Sequence, residues 1–151
     1  LQGATARNLK YDIQGTFIGA GLYLYQITGE EKYLDNSVKA ADYTRDVMYE
    51  AGVMNTEDEG NDLPGFKGIL ARWLGKLVYE GGQTQYLEWM EKNAQTAWRN
   101  RNSSGIMWTR WADQTQDTFY TAWGCSAAVS QLWNCLPPAD YEGSASNQAN
   151  P

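Results

Sequence analysis

Histidine is absent from the 151 residues, and only two cysteines are present. The first absence removes histidine triads, histidine metal sites and imidazole acid–base chemistry together. Cys125 and Cys135 offer little more. On a helix, ten residues place them about 15 Å apart along the axis, beyond the roughly 7 Å that a disulfide spans. They are expected as buried thiols, or as partners of something outside the chain. Basic residues are also few, 12 Lys and Arg against 18 Asp and Glu, and they are scattered. A nucleic acid partner is therefore not expected. No apolar run approaches the roughly 20 residues of a membrane span. No secretory leader is visible, but the chain starts at Leu1 without Met, so that observation says nothing about compartment. Any chemistry must rest on carboxylates, and no cofactor is expected.

What is present is aromatic and repetitive. Seven Trp, ten Tyr and three Phe stand in a composition that is 42% hydrophobic and 20% charged, which is that of a globular chain. Residues 11–35, "YDIQGTFIGAGLYLYQITGEEKYLD", return in altered form as "FKGILARWLGKLVYEGGQTQYLEW". Gly15 matches Gly68, Leu24 matches Leu77, Gly29 matches Gly82, Tyr33 and Leu34 match Tyr86 and Leu87, and Ala41 matches Ala94.

Each unit has two helical patterns. Residues 15–27 are apolar on nearly every face, as in a buried helix, and Thr28-Gly29 stops them. Residues 31–48 place Leu34, Val38, Ala41 and Met48 on one stripe, with Asp35, Lys39, Asp42 and Asp46 elsewhere, as in an outer helix. The second unit predicts a buried helix over 66–79 and an outer helix over 84–101, its stripe formed by Leu87, Met90, Ala94, Ala97 and Trp98. A third buried helix is predicted over 119–134. Residues 137–151 ("PPADYEGSASNQANP") read as an extended tail, leaving 1–136 as the folded part.

A repeat near 50 residues implies stacked units that cannot bury their apolar faces alone. The expected class is all-α, built from helical hairpins closing as a solenoid or toroid. Interior Gly19, Gly21 and Gly75, each costing about 1 kcal/mol relative to Ala, fit close helix approach. About two and a half such units are too few to close a ring, so the chain is expected to be incomplete.

Three motifs in order carry a resemblance: Q-G-T-F-I-G-A at 14–20, Y-x-x-T-G-x-x-x-Y-L-D at 25–35, and N-D-L-P-G-F-K-G-I-L-A-R-W at 61–73. Over residues 8–135 the chain resembles glycoside hydrolase family 76, the endo-α-1,6-mannanases and related fungal cell-wall transglycosylases of the Dfg5/Dcw1 kind. The resemblance implies an (α/α)6 toroid of six hairpins with a substrate cleft at the ends of its inner helices. This chain is similar to the C-terminal half. The resemblance also implies an α-1,6-mannan substrate and an extracellular or cell-surface location. The family's catalytic feature is an adjacent aspartate pair. No Asp-Asp dipeptide occurs here, so no catalytic residue is assigned. Where the family usually has Asn before the Gln of its Q-G motif, this chain has Ile13.

Six residues are candidates for substrate binding. Gln14 and Lys67 lie just before the repeat glycines, where a polar side chain either hydrogen-bonds a sugar hydroxyl or caps a helix end. In the acidic loop 55–66, Asp58 and Asp62 are the chosen cleft carboxylates, because the resemblance implies that this loop faces the cleft. A solvated acidic loop is the plain alternative. A calcium loop is disfavoured, because its twelfth position is Phe66 where a bidentate Glu is needed. Trp108 and Trp111 in the loop 105–117 either stack on a pyranose ring or seal the loop onto the core. Asp113 and Asp117 are not singled out by any spacing.

Two functional classes result. The first is part of a retaining mannan glycosidase whose other part supplies two carboxylates about 5–5.5 Å apart. The second is a non-catalytic helical-repeat module binding glycan or protein. Either would expose apolar helix flanks that call for the missing half or another copy.

Overall fold

The computed structural model describes residues 10–57, 62–118 and 120–136. Five helices dominate: α1 (Tyr11–Thr28), α2 (Glu31–Val47), α3 (Phe66–Tyr79), α4 (Leu87–Arg99) and α5 (Ala122–Asn134). The all-α expectation holds, with boundaries displaced by a few residues. α1 begins at Tyr11 rather than 15, and the second outer helix opens with a 3-10 turn over Thr84–Tyr86. The predicted start of the third inner helix, residue 119, lies outside the described residues.

One element was not foreseen. β1 (Tyr49–Glu50) and β2 (Val53–Met54) pair antiparallel across a two-residue turn. The turn residues Ala51 and Gly52 both have positive φ, 49° and 81°. This is the conformation that suits the right-handed twist of a tight hairpin.

The odd-numbered helices form the inner layer. Gly15 of α1 faces the backbone of α3 so closely that a Cβ there would sit 2.8 Å from the Leu70 Cα. A Cβ on Gly68 of α3 would approach the Ala127 Cα of α5 to 3.0 Å. Farther along, Gly75 lies against Asn134. These pairings advance in the same direction along both helices, so α1, α3 and α5 run parallel with α3 in the middle. The repeat glycines are therefore contact points between neighbouring units, which is why they recur. α2 covers α1, and α4 packs on α5. Ile18, Leu22, Leu70, Leu74, Leu77, Val78, Met90, Ala127 and Ala128 are the buried centre.

The units are also tied by polar contacts. The Tyr86 hydroxyl donates to Asp42 Oδ1 at 2.9 Å and lies 3.1 Å from the Val38 carbonyl, joining the second hairpin to the first outer helix. Gly29 terminates α1 at φ 71°, as the Thr-Gly signal predicts.

α1 is apolar on nearly every face, yet one of those faces is open, as expected of an unclosed array. Ile13 is 52% exposed, Phe17 53%, Leu24 42% and Ile27 80%. Their spacing of four, three, four and three residues with Ala20 makes one continuous stripe. α5 carries a matching stripe of Val129 and Trp133, continued just past its end by Leu136. A helix stacked on one inner neighbour and one outer helix has a third side left over. These stripes are the open flanks of the three-helix array. Trp98 also departs from its expected stripe: it is half-exposed, with the Arg101 guanidinium 4.3 Å from its ring centroid.

Candidate functional site: the leading ends of the inner helices

Because α1, α3 and α5 are parallel, their first turns share one end of the array. The segments 48–65 and 100–121 lead into two of these helices there. A helix start leaves backbone N–H groups without intrahelical partners and carries partial positive charge. The start of α1 recruits a carboxylate from the acidic loop, as Glu57 Oε1 accepts the Tyr11 N–H at 3.4 Å. The Tyr11 side chain is buried and bonded on both sides. Its hydroxyl donates to the Met48 carbonyl and accepts the Asn55 N–H at 2.6 Å.

The same loop reaches the segment before α5. Thr109 Oγ1 donates to the Glu57 carbonyl at 3.4 Å, and the Lys67 ammonium donates to the Thr109 carbonyl. Lys67 Nζ also lies 4.2 Å from the centroid of the Trp111 ring, within cation–π range. Glu57, Lys67 and Thr109 thus bind all three leading segments together.

This environment changes Glu57. Burial pushes its carboxyl up to about 7, with the Asp12 carboxylate adding to the rise. The Tyr11 N–H and the Lys67 and Lys10 ammonium groups oppose it. Among the described residues, Glu57 Oε2, Asp12 Oδ1 and Asn55 Oδ1 are buried acceptor atoms without a hydrogen-bond donor. Glu57 was not among the chosen carboxylates. Its neighbours in the acidic loop gave no reason to prefer it, since a loop has no periodicity to mark an inward position.

Of the six candidates, Gln14 is half-buried one turn into α1 and Asp62 is exposed just before α3. Asp58 lies outside the described residues. The remaining three require correction. Lys67 is fully buried, and its ammonium is engaged inside the chain rather than directed to a sugar hydroxyl. Trp111 is 1% exposed and Trp108 5%, so neither presents a ring face for stacking. They seal the loop onto the core, as the alternative reading had it. Trp108 lies so close to Gly124 that a Cβ there would meet its Nε1 at 2.2 Å. Asp117 is occupied in loop structure, accepting from the Ser103 N–H at 3.1 Å and hydroxyl at 2.8 Å.

A different tryptophan occupies the surface of this end. Trp123, in the first turn of α5, is 45% exposed, and its indole Nε1–H donates to the Asp62 carbonyl at 2.7 Å. It borders a groove of about 420 Å³ between α3 and α5. Cys125 and Cys135 are unpaired and half-buried. Among the described residues no group of three Cys, Asp or Glu side chains could hold a metal ion. No described helix is long and apolar enough to cross a membrane.

The sequence profile of glycosyl hydrolase family 76 matches residues 5–137. The chain belongs to this family. No curated protein sequence matches it. Among solved structures, the Lin0763 protein from Listeria innocua superposes with a TM-score of 0.73 at 27% identity, covering 83% of this chain and 36% of that one. The GH76A α-1,6-mannanase from Salegentibacter sp. HEL1_6 gives 0.72 at 28% identity, covering 84% and 39%. An inactive variant of that mannanase, with two consecutive aspartates replaced, was solved with α-1,6-mannotetrose and also gives 0.72, at 27% identity with the same coverage. The chain thus spans well under half the length of the solved family 76 chains it matches.

Proposed function

We propose that the chain is the cleft-bearing C-terminal part of a retaining glycoside hydrolase acting on α-1,6-linked mannan outside the cell. The observation that carries this reading is the family match over residues 5–137, joined to structural likeness with an α-1,6-mannanase. In this reading the remaining hairpins cover the exposed stripes of α1 and α5 and complete the (α/α)6 toroid. They also contribute the adjacent aspartates that this chain lacks.

The two carboxyl groups of a retaining enzyme act as nucleophile and as acid/base on opposite sides of the scissile bond. This chain would supply the other side of the cleft. Gln14, Asp58 and Asp62 would orient sugar hydroxyls at the leading ends of the inner helices. Glu57 would fix the position of those ends, and Lys67 would brace them from within.

The test is a single polypeptide in which this chain follows the N-terminal part of the Salegentibacter mannanase. Hydrolysis of α-1,6-mannan by the joined protein, and none by the 151-residue chain alone, is the expected result. A joined protein that folds, binds mannan and leaves it intact favours the non-catalytic module instead.

A further inference from the structure

Most tryptophans of this chain that lie near the leading ends are sealed. Trp123 is not: it is exposed and also firmly supported. Its exposure of 45% contrasts with 5% for Trp108 and 1% for Trp111. It is held at its nitrogen by the Asp62 carbonyl at 2.7 Å. It lies directly against Gly65, where a Cβ would fall 1.9 Å from the Trp123 Cε2. Glycine at 65 therefore makes room for the indole to lie on the backbone. The ring rests against that backbone while 45% of the residue stays exposed.

An indole held this way loses little freedom when something packs on it, because the hydrogen bond and the backbone beneath have already fixed its orientation. The groove beside it supplies a guanidinium from Arg72 and hydroxyls from Ser126 and Ser130. An apolar plate bordered by hydrogen-bonding groups suits a pyranose ring, which has apolar C–H faces and a polar rim. Trp133 lines the far end of the same groove, but it is 74% exposed and lies ten residues along α5 within the open-flank stripe. Among the described residues its indole N–H has no acceptor. It differs from Trp123 in this respect.

We propose that Trp123 is the platform on which one mannose ring of the substrate stacks, with Gly65 and the Asp62 carbonyl as its supports. This assignment rests on the mannan reading above and replaces Trp108 and Trp111 in that role.

The experiment is a titration of the 151-residue chain with α-1,6-mannotetrose, following the seven indole N–H resonances by NMR. The Trp123 resonance should shift on saturation while that of Trp98, on the outer helix, stays in place. Trp123→Ala should weaken binding by about ten-fold, on the scale of aromatic packing interactions. Trp123→Phe, which keeps a ring but loses the support at Asp62, should weaken it by a smaller factor. The Phe variant keeps the test decisive if the Ala variant does not fold. Mannotetrose binding with an unmoved Trp123 resonance, or with equal affinity in both variants, overturns the platform and leaves the mannan reading intact. No binding of mannotetrose by the wild-type chain overturns the platform, and the mannan reading is then decided separately by the joined protein.

Discussion

Replacing Glu57 by Gln tests how the leading ends are held, and its outcome depends on pH. Glu57 is displaced from its ordinary value of 4.5 to about 7, chiefly by burial and secondarily by Asp12. A carboxyl whose pKa is raised on folding favours the fold while it is protonated. That contribution is fully present below about pH 4.5 and is lost as pH rises through about 7. The interval corresponds to roughly 3 kcal/mol at about 1.4 kcal/mol per pH unit. Glu57 is only part-buried, so solvent screening reduces it to about 1–2 kcal/mol. Glutamine keeps an oxygen for the Tyr11 N–H and carries no charge to desolvate beside Asp12. Glu57→Gln should therefore match the wild type at pH 4.5 and exceed it at pH 8 by about 2–6 °C in melting temperature. Thermal scans of both proteins across this range, followed by circular dichroism at 222 nm, make the comparison. A difference that does not vary with pH, or a variant less stable than wild type at pH 8, refutes the reasoning. It would mean that Lys67, Lys10 and the Tyr11 N–H outweigh burial and hold the carboxylate ionised.

Other perturbations follow from the same contacts. Lys67→Met should remove the donor from the Thr109 carbonyl and lower stability by about 1–3 kcal/mol in urea unfolding. Gly124→Ala should cost about 1–3 kcal/mol by the same assay, because the new methyl meets the Trp108 ring. The open flanks should make the chain self-associate at high concentration, and Ile27→Glu with Trp133→Glu should shift sedimentation towards monomer. In the joined enzyme, Asp62→Ala should lower kcat/KM by about ten-fold or more, equivalent to roughly 1.5–3 kcal/mol. Glu91→Ala, on the exposed side of α4, should leave it unchanged.

The helices were legible because the repeat carries its own punctuation. Gly29 and Gly82 end inner helices at positive φ, and Gly15 and Gly68 mark where one inner helix meets the next. The burial of Lys67 is legible in the sequence too. It precedes Leu70, Ala71, Leu74 and Val78 at the spacing of a single buried face, so its position already placed the stem inside. A lysine there must carry its charge to a partner, and the partner, Thr109, is 42 residues away. No local pattern announces such a contact. The tryptophans fail for a related reason. Trp108, Trp111 and Trp123 all belong to one stretch around the start of α5, and composition cannot distinguish a ring that plugs the core from one that rests on a glycine outside it. Gly65 was the available sign, since it permits what lies on it, but its partner is 58 residues further along the chain. The exposed flanks of α1 and α5 were legible as a consequence of too few units to close a ring, and Ile27 at 80% and Trp133 at 74% exposure lie on them.

The central claim is that these helices are one part of a mannan-hydrolysing toroid, and complementation in trans tests it most directly. The 151-residue chain and the N-terminal part of the Salegentibacter mannanase, made separately, would be mixed and assayed for release of reducing ends from α-1,6-mannan. The account predicts a one-to-one complex that hydrolyses the mannan, with neither piece active alone and with activity lost when the adjacent aspartates of the N-terminal piece are replaced. Hydrolysis by the 151-residue chain alone, or a one-to-one complex that binds mannan without cleaving it, would contradict the claim.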